Sequence, residues 1–147
     1  MTNESGFLEA FEKCEKYIKN INEISHTVYE KKVELINFNQ QIQRIELNSI
    51  HEISNEVDEN GKKKFTNETT RTAEMQNRLK DNANYQTYLK YVVDSDKEIK
   101  ELEILIKSLE QKLQLYKKLL DYYTNDTNEL IDAINRLGKK ISLNGGF

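Results

Sequence analysis

The C-terminal half of the chain carries one seven-residue repeat of apolar positions that runs from Tyr85 to Ile141 without a slip. Fifteen of its seventeen a and d positions are apolar or aromatic, and only Ser95 and Thr127 break the pattern. A 3.5-residue spacing held over about eight heptads is typical of a coiled coil. We call these a and d positions the seam. Seven of its members are predicted core or oligomer contacts: Ile99, Leu102, Ile106, Leu109, Leu113, Tyr116 and Leu120.

The helix predicted for this half extends from about residue 84 to 137. Residues 124–128 have weak helix propensity, so the helix is expected to bend or end there. Gly138 predicts its C-terminal exit, because glycine is the usual residue just past a helix end.

The N-terminal arm shows the same period over residues 6–54 with a less regular frame. Phe7, Phe11, Cys14 and Ile18 hold one register, but further along the apolar residue repeatedly moves to the neighbouring position. This drift widens the apolar stripe, as expected for a long helix that packs on more than one neighbour.

The segment between the arms lacks the heptad pattern. Asp58-Glu59-Asn60-Gly61 is a turn signal, and Val57 and Phe65 lie on either side of it. The pattern predicts either a short β-hairpin or an ordered polar loop near residues 57–66. A short third helix is predicted near residues 67–80, capped by Thr66 or Asn67, and a second break with a new N-cap follows at residues 81–84.

These elements predict an all-α fold, an antiparallel hairpin of two long helices that form a coiled coil, with the turn or β-hairpin element and the short third helix between them. One elongated helical domain is expected over residues 1–147. Its parts are arm 1 at about 6–54, the tip at about 55–84 and arm 2 at about 85–141.

Aromatic residues beside the main stripe predict self-association. A lone hairpin leaves part of each apolar stripe in water, so we expect a homodimer or a homotetramer. The aromatic residues concerned are Tyr17, Tyr29, Phe38, Tyr91 and Tyr122.

Composition narrows the class of protein. The chain has no proline and only five glycines, which argues against a β-sandwich and favours uninterrupted helices. The formal net charge of -3 excludes a polycation that coats nucleic acid. A single cysteine, Cys14, fits a reducing compartment, and no apolar run is long enough for a signal or a membrane span. We therefore expect a cytoplasmic protein.

The charges are unevenly distributed, and a basic segment marks the tip. Residues 61–80 carry six Lys/Arg against two Asp/Glu, whereas residues 1–60 carry six against twelve. Such a cluster can contact an acidic protein surface or nucleic-acid phosphates, or it can be a solvated turn that offsets nearby carboxylates. The candidate partner-binding residues are Lys62, Lys63, Lys64, Arg71, Arg78 and Lys80.

Signals of catalysis are absent from the sequence. His26 and His51 lie 25 residues apart, about 37 Å along a continuous helix, and are expected to be helix-surface residues. No catalytic, cofactor-binding or metal-ligating residue is predicted, and Cys14 is expected in the core. Tyr85, Tyr88 and Tyr91 either pack the tip or stack on unpaired bases.

The run from Asn60 to Arg71, followed by Leu79 and Tyr85, resembles small coiled-coil proteins of phages and other mobile elements of Gram-positive bacteria. Those proteins share a Gly-Lys, aromatic, Asn-Glu and Arg pattern ahead of a long helix. The resemblance implies a setting near DNA recombination or interference with host defence. In outline the chain is also similar to the prefoldin subunits and to the Gam-type nuclease inhibitors, which are helical hairpins.

The sequence thus predicts a non-enzymatic, oligomeric coiled-coil protein that acts by binding. The leading hypothesis is a phage or mobile-element accessory factor whose basic tip engages a host-defence or recombination protein. Two alternatives stay open: direct binding of single- or double-stranded nucleic acid through the same tip, and a prefoldin-like chaperone. No cofactor and no membrane contact are expected.

Overall fold

The computed structural model describes the backbone of residues 3–124 and 128–144, and the side chains of residues 5–124 and 132–140. The described chain is all-α, with no strand in those ranges, and its two long helices pack together as a helical hairpin, as predicted. The helices are α1 (Asn3–Asn55), α2 (Glu68–Lys80), α3 (Ala83–Tyr123) and α4 (Asn128–Asn144).

Local side chains set the helix ends around the tip. Asn67, one of the two predicted caps, begins α2 by accepting a hydrogen bond from the Thr70 backbone N–H at 2.8 Å. The new N-cap predicted within residues 81–84 is present at Asn82, whose side chain accepts a hydrogen bond from the Tyr85 backbone N–H at 2.9 Å. Leu79 is buried and anchors the end of α2.

The heptad frame of the C-terminal half is divided between two helices. Of the two expected outcomes at residues 124–128, the helix ends, at Tyr123, and the Thr124 hydroxyl donates to the Asp121 carbonyl at 3.1 Å. The exit predicted at Gly138 was wrong, since α4 continues through that residue. Within α4 the frame is kept only in part, because the frame residue Leu137 is buried, whereas the frame residue Ile134 is 49% exposed and its neighbour Ala133 is buried instead.

Some predicted positions lie outside the described residues. Thr127 falls between α3 and α4 in the part of the backbone that is not described. The side chains of two further seam positions, Leu130 and Ile141, are likewise outside the described ranges.

The contacts divide the chain into two compact units. The first unit consists of Met1–Tyr29 and Lys100–Phe147, and the second is Glu30–Ile99. Whether the chain forms the single elongated domain expected from the sequence stays a prediction.

The core of the first unit is built from α1, α3 and α4. Tyr17 of α1 stacks on Tyr116 of α3 with ring centroids 5.6 Å apart. Gly6 also faces the ring of Tyr123, so α1 and α3 run antiparallel in this unit. The buried members of the cluster are Phe7, Ala10, Phe11, Cys14, Ile18, Leu113, Leu120, Ala133 and Leu137.

Helix α4 runs in the same direction as α1. The Arg136 guanidinium lies over the Phe11 ring at 5.4 Å, and one turn further the Lys140 Nζ pairs with the Glu15 carboxylate at 2.9 Å. Because both contacts advance together along the two helices, α4 returns antiparallel to α3. The first unit is therefore a three-helix arrangement rather than a two-helix seam.

The second unit pairs the C-terminal part of α1 with the start of α3. The Phe38 ring contacts the rings of Tyr88 and Tyr91, with centroids 6.2 and 5.2 Å away. Lys31 forms an ion pair with Glu98, so this part of α1 also runs antiparallel to α3. Ile42, Ile53, Leu79 and Ile99 are its buried apolar side chains.

None of the four described helices combines the length and the apolar character needed to cross a bilayer.

Truncating a buried side chain should lower the free energy of unfolding far more than truncating an exposed one. Leu120 is 3% exposed, and Leu120→Ala is expected to lower the free energy of unfolding by about 2–5 kcal/mol through lost burial and a cavity. The matched control is Leu47→Ala, because Leu47 is 69% exposed, and its cost should stay below about 1 kcal/mol. Chemical denaturation followed by circular dichroism measures both. Equal losses would contradict the assignment of Leu120 to the core.

Candidate interaction surface at the tip

The loop between α1 and α2, residues 56–67, is shaped by polar groups. The Asp58 carboxylate accepts hydrogen bonds from the backbone N–H groups of Asn60 and Lys62, at 2.9 and 3.0 Å. Gly61 has φ 75°, in the left-handed region that favours glycine, and its N–H donates to the Asp58 carbonyl at 3.0 Å. The turn predicted from residues 58–61 is therefore present, and these hydrogen bonds together with the backbone conformation of Gly61 form it.

A single antiparallel bridge closes this loop. Val57 pairs with Lys63, the Asp58 N–H donates to the Lys62 carbonyl at 2.8 Å, and the Lys64 N–H donates to the Glu56 carbonyl at 2.9 Å. The sequence left a β-hairpin and an ordered polar loop open for residues 57–66. Within the described chain the loop is ordered and has this one bridge but no strand.

Arg78 fixes α2 to the start of the loop. Its guanidinium contacts both carboxylate oxygens of Glu56, with Nη1–Oε1 at 2.7 Å and Nη2–Oε2 at 2.8 Å. Its Nε donates to Glu74 one turn earlier in α2, also at 2.7 Å, and the guanidinium lies 6.0 Å from the Phe65 ring centroid. A bidentate arginine–carboxylate pair fixes the orientation of the two side chains as well as the distance between them.

The charges in this cluster stabilise one another. The hydrogen bond from Arg78 lowers the pKa of Glu56, and Glu56 and Glu74 together raise the pKa of the Arg78 guanidinium. Arg78, which the sequence placed among the partner-binding candidates, is therefore engaged inside the tip.

The remaining candidate cations differ in their exposure. Lys62, Lys63 and Lys64 are exposed on the second half of the loop, and the Lys64 Nζ lies 5.8 Å from the Phe65 ring centroid. Lys80 is exposed at the end of α2, whereas Arg71 near its start is half-buried. The structure thus presents three consecutive lysines on a loop of defined shape.

Carboxylates are mixed with these cations. Residues 56–81 contain six Lys/Arg and six Asp/Glu, so the tip has no net formal charge. The acidic side chains precede the turn and the lysines follow it, which separates the signs along the loop. This arrangement is a local charge pattern rather than a broad positive field.

The three tyrosines at the start of α3 have partners within the second unit. The Tyr85 hydroxyl donates to the Glu46 carboxylate at 2.9 Å, and burial together with this hydrogen bond raises the pKa of Tyr85. Tyr88 and Tyr91 contact Phe38. Of the two expectations for these rings, packing of the tip is the one that their contacts support.

The two histidines and the cysteine, the other residues considered for catalysis or metal binding, occupy separate positions on α1. His51 is exposed and lies 3.2 Å from the Asn55 side-chain nitrogen, and His26 is exposed elsewhere on α1. Cys14 is fully buried, and burial raises the pKa of its thiol, against a smaller opposing effect of Lys117. Across the described residues, no three His, Cys, Asp or Glu side chains come together in a way that could hold a metal ion.

The predicted core or oligomer residues of the seam face inward in the single chain. Four are buried, namely Ile99, Leu109, Leu113 and Leu120, and three are half-buried, namely Leu102, Ile106 and Tyr116. Sequence reasoning missed the Glu56–Arg78–Glu74 cluster. Its one sequence signal is the i,i+4 spacing of Glu74 and Arg78 in a helix.

The ion pair of Arg78 should make the loop sensitive to acid. Because the folded-state pKa of Glu56 is lowered, the pair stabilises the loop above the usual glutamate pKa and is lost as pH falls through the lowered value. Glu56→Gln should therefore reduce the hydrogen-exchange protection of the Lys64 amide at pH 7. At a pH below the lowered pKa, the wild type and the variant should converge. A difference of the same size at both pH values would contradict the role of the ion pair.

Comparisons with known proteins assign this chain to no group. No family profile, no curated protein and no solved structure matches it. The geometry of the tip and of the helix faces is therefore the basis for a functional proposal.

Proposed function

We propose that this chain is a non-enzymatic, self-associating helical protein that binds an acidic surface of another protein through its tip. One observation carries the proposal: the loop of residues 56–67 is held in a defined shape and presents Lys62, Lys63 and Lys64 to solvent. An ordered loop loses less conformational entropy on binding than a flexible one. Three adjacent ammonium groups add electrostatic attraction to carboxylates and steer the encounter.

The arrangement of charge favours a protein partner over nucleic acid. A nucleic-acid backbone offers a continuous row of phosphates, which suits an extended field of cations. Here Asp58 and Glu59 lie within a few residues of the lysines and would repel phosphates beside them. A protein surface with a few localised carboxylates better fits a loop whose acidic and basic side chains occupy separate halves.

The biological context that we propose comes from the resemblance of residues 60–71 to small coiled-coil proteins of phages and other mobile elements. We place the chain among phage or mobile-element accessory factors that act in the cytoplasm on a host-defence or recombination protein. Binding without catalysis agrees with the dispersed positions of His26, His51 and Cys14 in the described chain. Direct nucleic-acid binding is kept as the second candidate, because the exposed Lys62–Lys64 run favours it.

A charge reversal at the tip tests the protein-binding proposal. Lys62→Glu, Lys63→Glu and Lys64→Glu together should lower the affinity for the partner at least tenfold, through lost attraction and new repulsion. The matched control reverses three exposed lysines of the first unit: Lys16→Glu, Lys19→Glu and Lys139→Glu. Quantitative capture from a host lysate, followed by titration of the purified partner, compares the two triple variants. A partner retained equally by both would contradict binding through the tip.

A salt titration separates the two candidates. If three lysines each neutralise one phosphate, the logarithm of the binding constant for duplex DNA should fall with a slope of about -2.7 against log salt. That slope corresponds to a roughly fortyfold loss between 50 and 200 mM salt. We expect no binding of single- or double-stranded DNA or RNA at 50 mM salt in fluorescence anisotropy. Binding with this slope that the tip variant abolishes would replace the protein partner by nucleic acid.

A further inference from the structure

A second apolar stripe runs along α3 on the face opposite the core. Ile104, Leu115, Leu119 and Tyr122 are 68%, 59%, 37% and 76% exposed, and Leu105 lies at the edge of the same face. The first four of these residues follow one another at spacings of eleven, four and three. On an α-helix these spacings keep the four side chains within about one-sixth of a turn of each other. We call these five residues the outer stripe. All five belong to the first unit.

The exposed area of the outer stripe is large enough for a dimer interface. Taking roughly 100 Å² for an isolated leucine or isoleucine side chain and roughly 200 Å² for tyrosine, the stripe exposes on the order of 350 Å² of apolar surface. A standard interface buries about 800 Å² per partner, a little over half of it apolar. The outer stripe thus supplies most of the apolar part of one such interface, and the aliphatic stems of flanking lysines can add to it.

The outer stripe has a heptad frame of its own, offset from that of the seam. Ile104, Gln111 and Lys118 take the d positions, and Ser108, Leu115 and Tyr122 take the a positions. Three of these six positions are apolar or aromatic and three are polar. When the stripe is reversed about residue 113, its apolar ends coincide, and Leu115 lies against Gln111.

We propose that a second copy of this chain covers the outer stripe, with the two α3 helices antiparallel about a two-fold axis near residue 113. This inference rests on the self-association that forms part of the proposed function. In this register Ile104 lies opposite Tyr122 of the second copy, and Leu105 lies opposite its Leu119. Both pairings occur twice because a two-fold interface is isologous.

The charges beside the stripe agree with this register. Lys107 and Asp121 are both exposed, and both occupy g positions of the outer frame. In an antiparallel pair, g positions face each other across the interface, so Lys107 of one copy lies beside Asp121 of the other, twice. A parallel pair would instead place Lys107 beside Lys112 of the second copy, twice. The antiparallel register also brings the two copies of Lys112 together once at the axis, so it has two attractive contacts and one repulsive contact, whereas the parallel pair has two repulsive contacts. Charge complementarity therefore favours the antiparallel second copy.

Sedimentation equilibrium of the full chain tests the interface. The wild type should sediment at twice its 17.3 kDa mass at tens of micromolar, and Leu115→Glu should be a monomer there with unchanged helicity. Lys107→Glu should weaken the dimer roughly fivefold to tenfold, and adding Asp121→Lys should restore most of the affinity. Lys19→Glu, on an exposed site of α1, is the charge-matched control and should change nothing.

Cross-linking tests the orientation of the helices. Gln114→Cys places a thiol beside its own copy across the two-fold axis and should give covalent dimers with a short bismaleimide. Ile104→Cys should not, because antiparallel pairing separates the two copies of this residue by about 27 Å along the axis. The wild type serves as the blank, because its one cysteine, Cys14, is fully buried. Cross-linking at residue 104 instead of 114 would overturn the antiparallel register.

Other outcomes separate this inference from the proposed function. A wild-type monomer at 100 µM would overturn both the interface and self-association, yet leave tip binding to its own test. A dimer that survives Leu115→Glu but dissociates with Leu47→Glu would overturn the outer stripe alone, since Leu47 is exposed on α1. Loss of partner capture by the tip variant while the dimer persists would support the interface independently of the tip.

Discussion

Each long helix carries apolar side chains on two opposite faces, and one neighbouring helix can cover only one of them. The antiparallel packing of α1 on α3 buries the heptad seam, and in the first unit α4 completes the core around Cys14 and Leu120. The opposite faces stay exposed, with Ile36 and Leu47 on α1 and the outer stripe on α3. Burial of one stripe fixes the fold of the chain, and exposure of the other defines what the folded chain can still bind.

The same constraint explains why the tip is held by polar groups. Helices that place their apolar residues in a seam leave few for the loop that joins them, and Leu79 and Ile53 are the buried apolar side chains closest to it in sequence. The loop is instead stabilised by the hydrogen bonds of Asp58 and by the ion pair of Arg78 with Glu56. Glu56 and Asp58 of the acidic half take part in these contacts, and Lys62, Lys63 and Lys64 of the other half are exposed.

Periodicity was sufficient to predict the helices because a heptad frame depends on residues near one another in sequence. The start of α2 and the break before α3 followed from the side chains of Asn67 and Asn82 for the same reason. Apart from the helix end predicted at Gly138, the failures involve contacts between distant residues. The weak helix propensity of residues 124–128 predicted a bend or an end there, but the heptad frame resumes beyond them in the same register and does not indicate that α4 packs on α1, as the contact between Arg136 and Phe11 shows.

The candidate site shows the same division. The lysine run was visible in the sequence, but the one local feature that distinguishes the internally paired Arg78 from the exposed Lys80 is the presence of Glu74 one turn earlier. The pairing also depends on Glu56, which lies 22 residues away and reaches Arg78 only once the loop has folded. The second heptad frame of α3 was present in the sequence as well, but its exposure is known only after the first frame has found its partner.

Hydrogen exchange measured over a hundredfold dilution tests most directly whether the seam is buried by helices of the same chain. If α1 packs on α3 of the same molecule, amides of residues 7–18 and 109–120 keep the same protection at every concentration in the Leu115→Glu variant, which lacks the proposed dimer interface. Protection that disappears from both segments on dilution would contradict this packing, because the seam would then belong to an assembly of several chains.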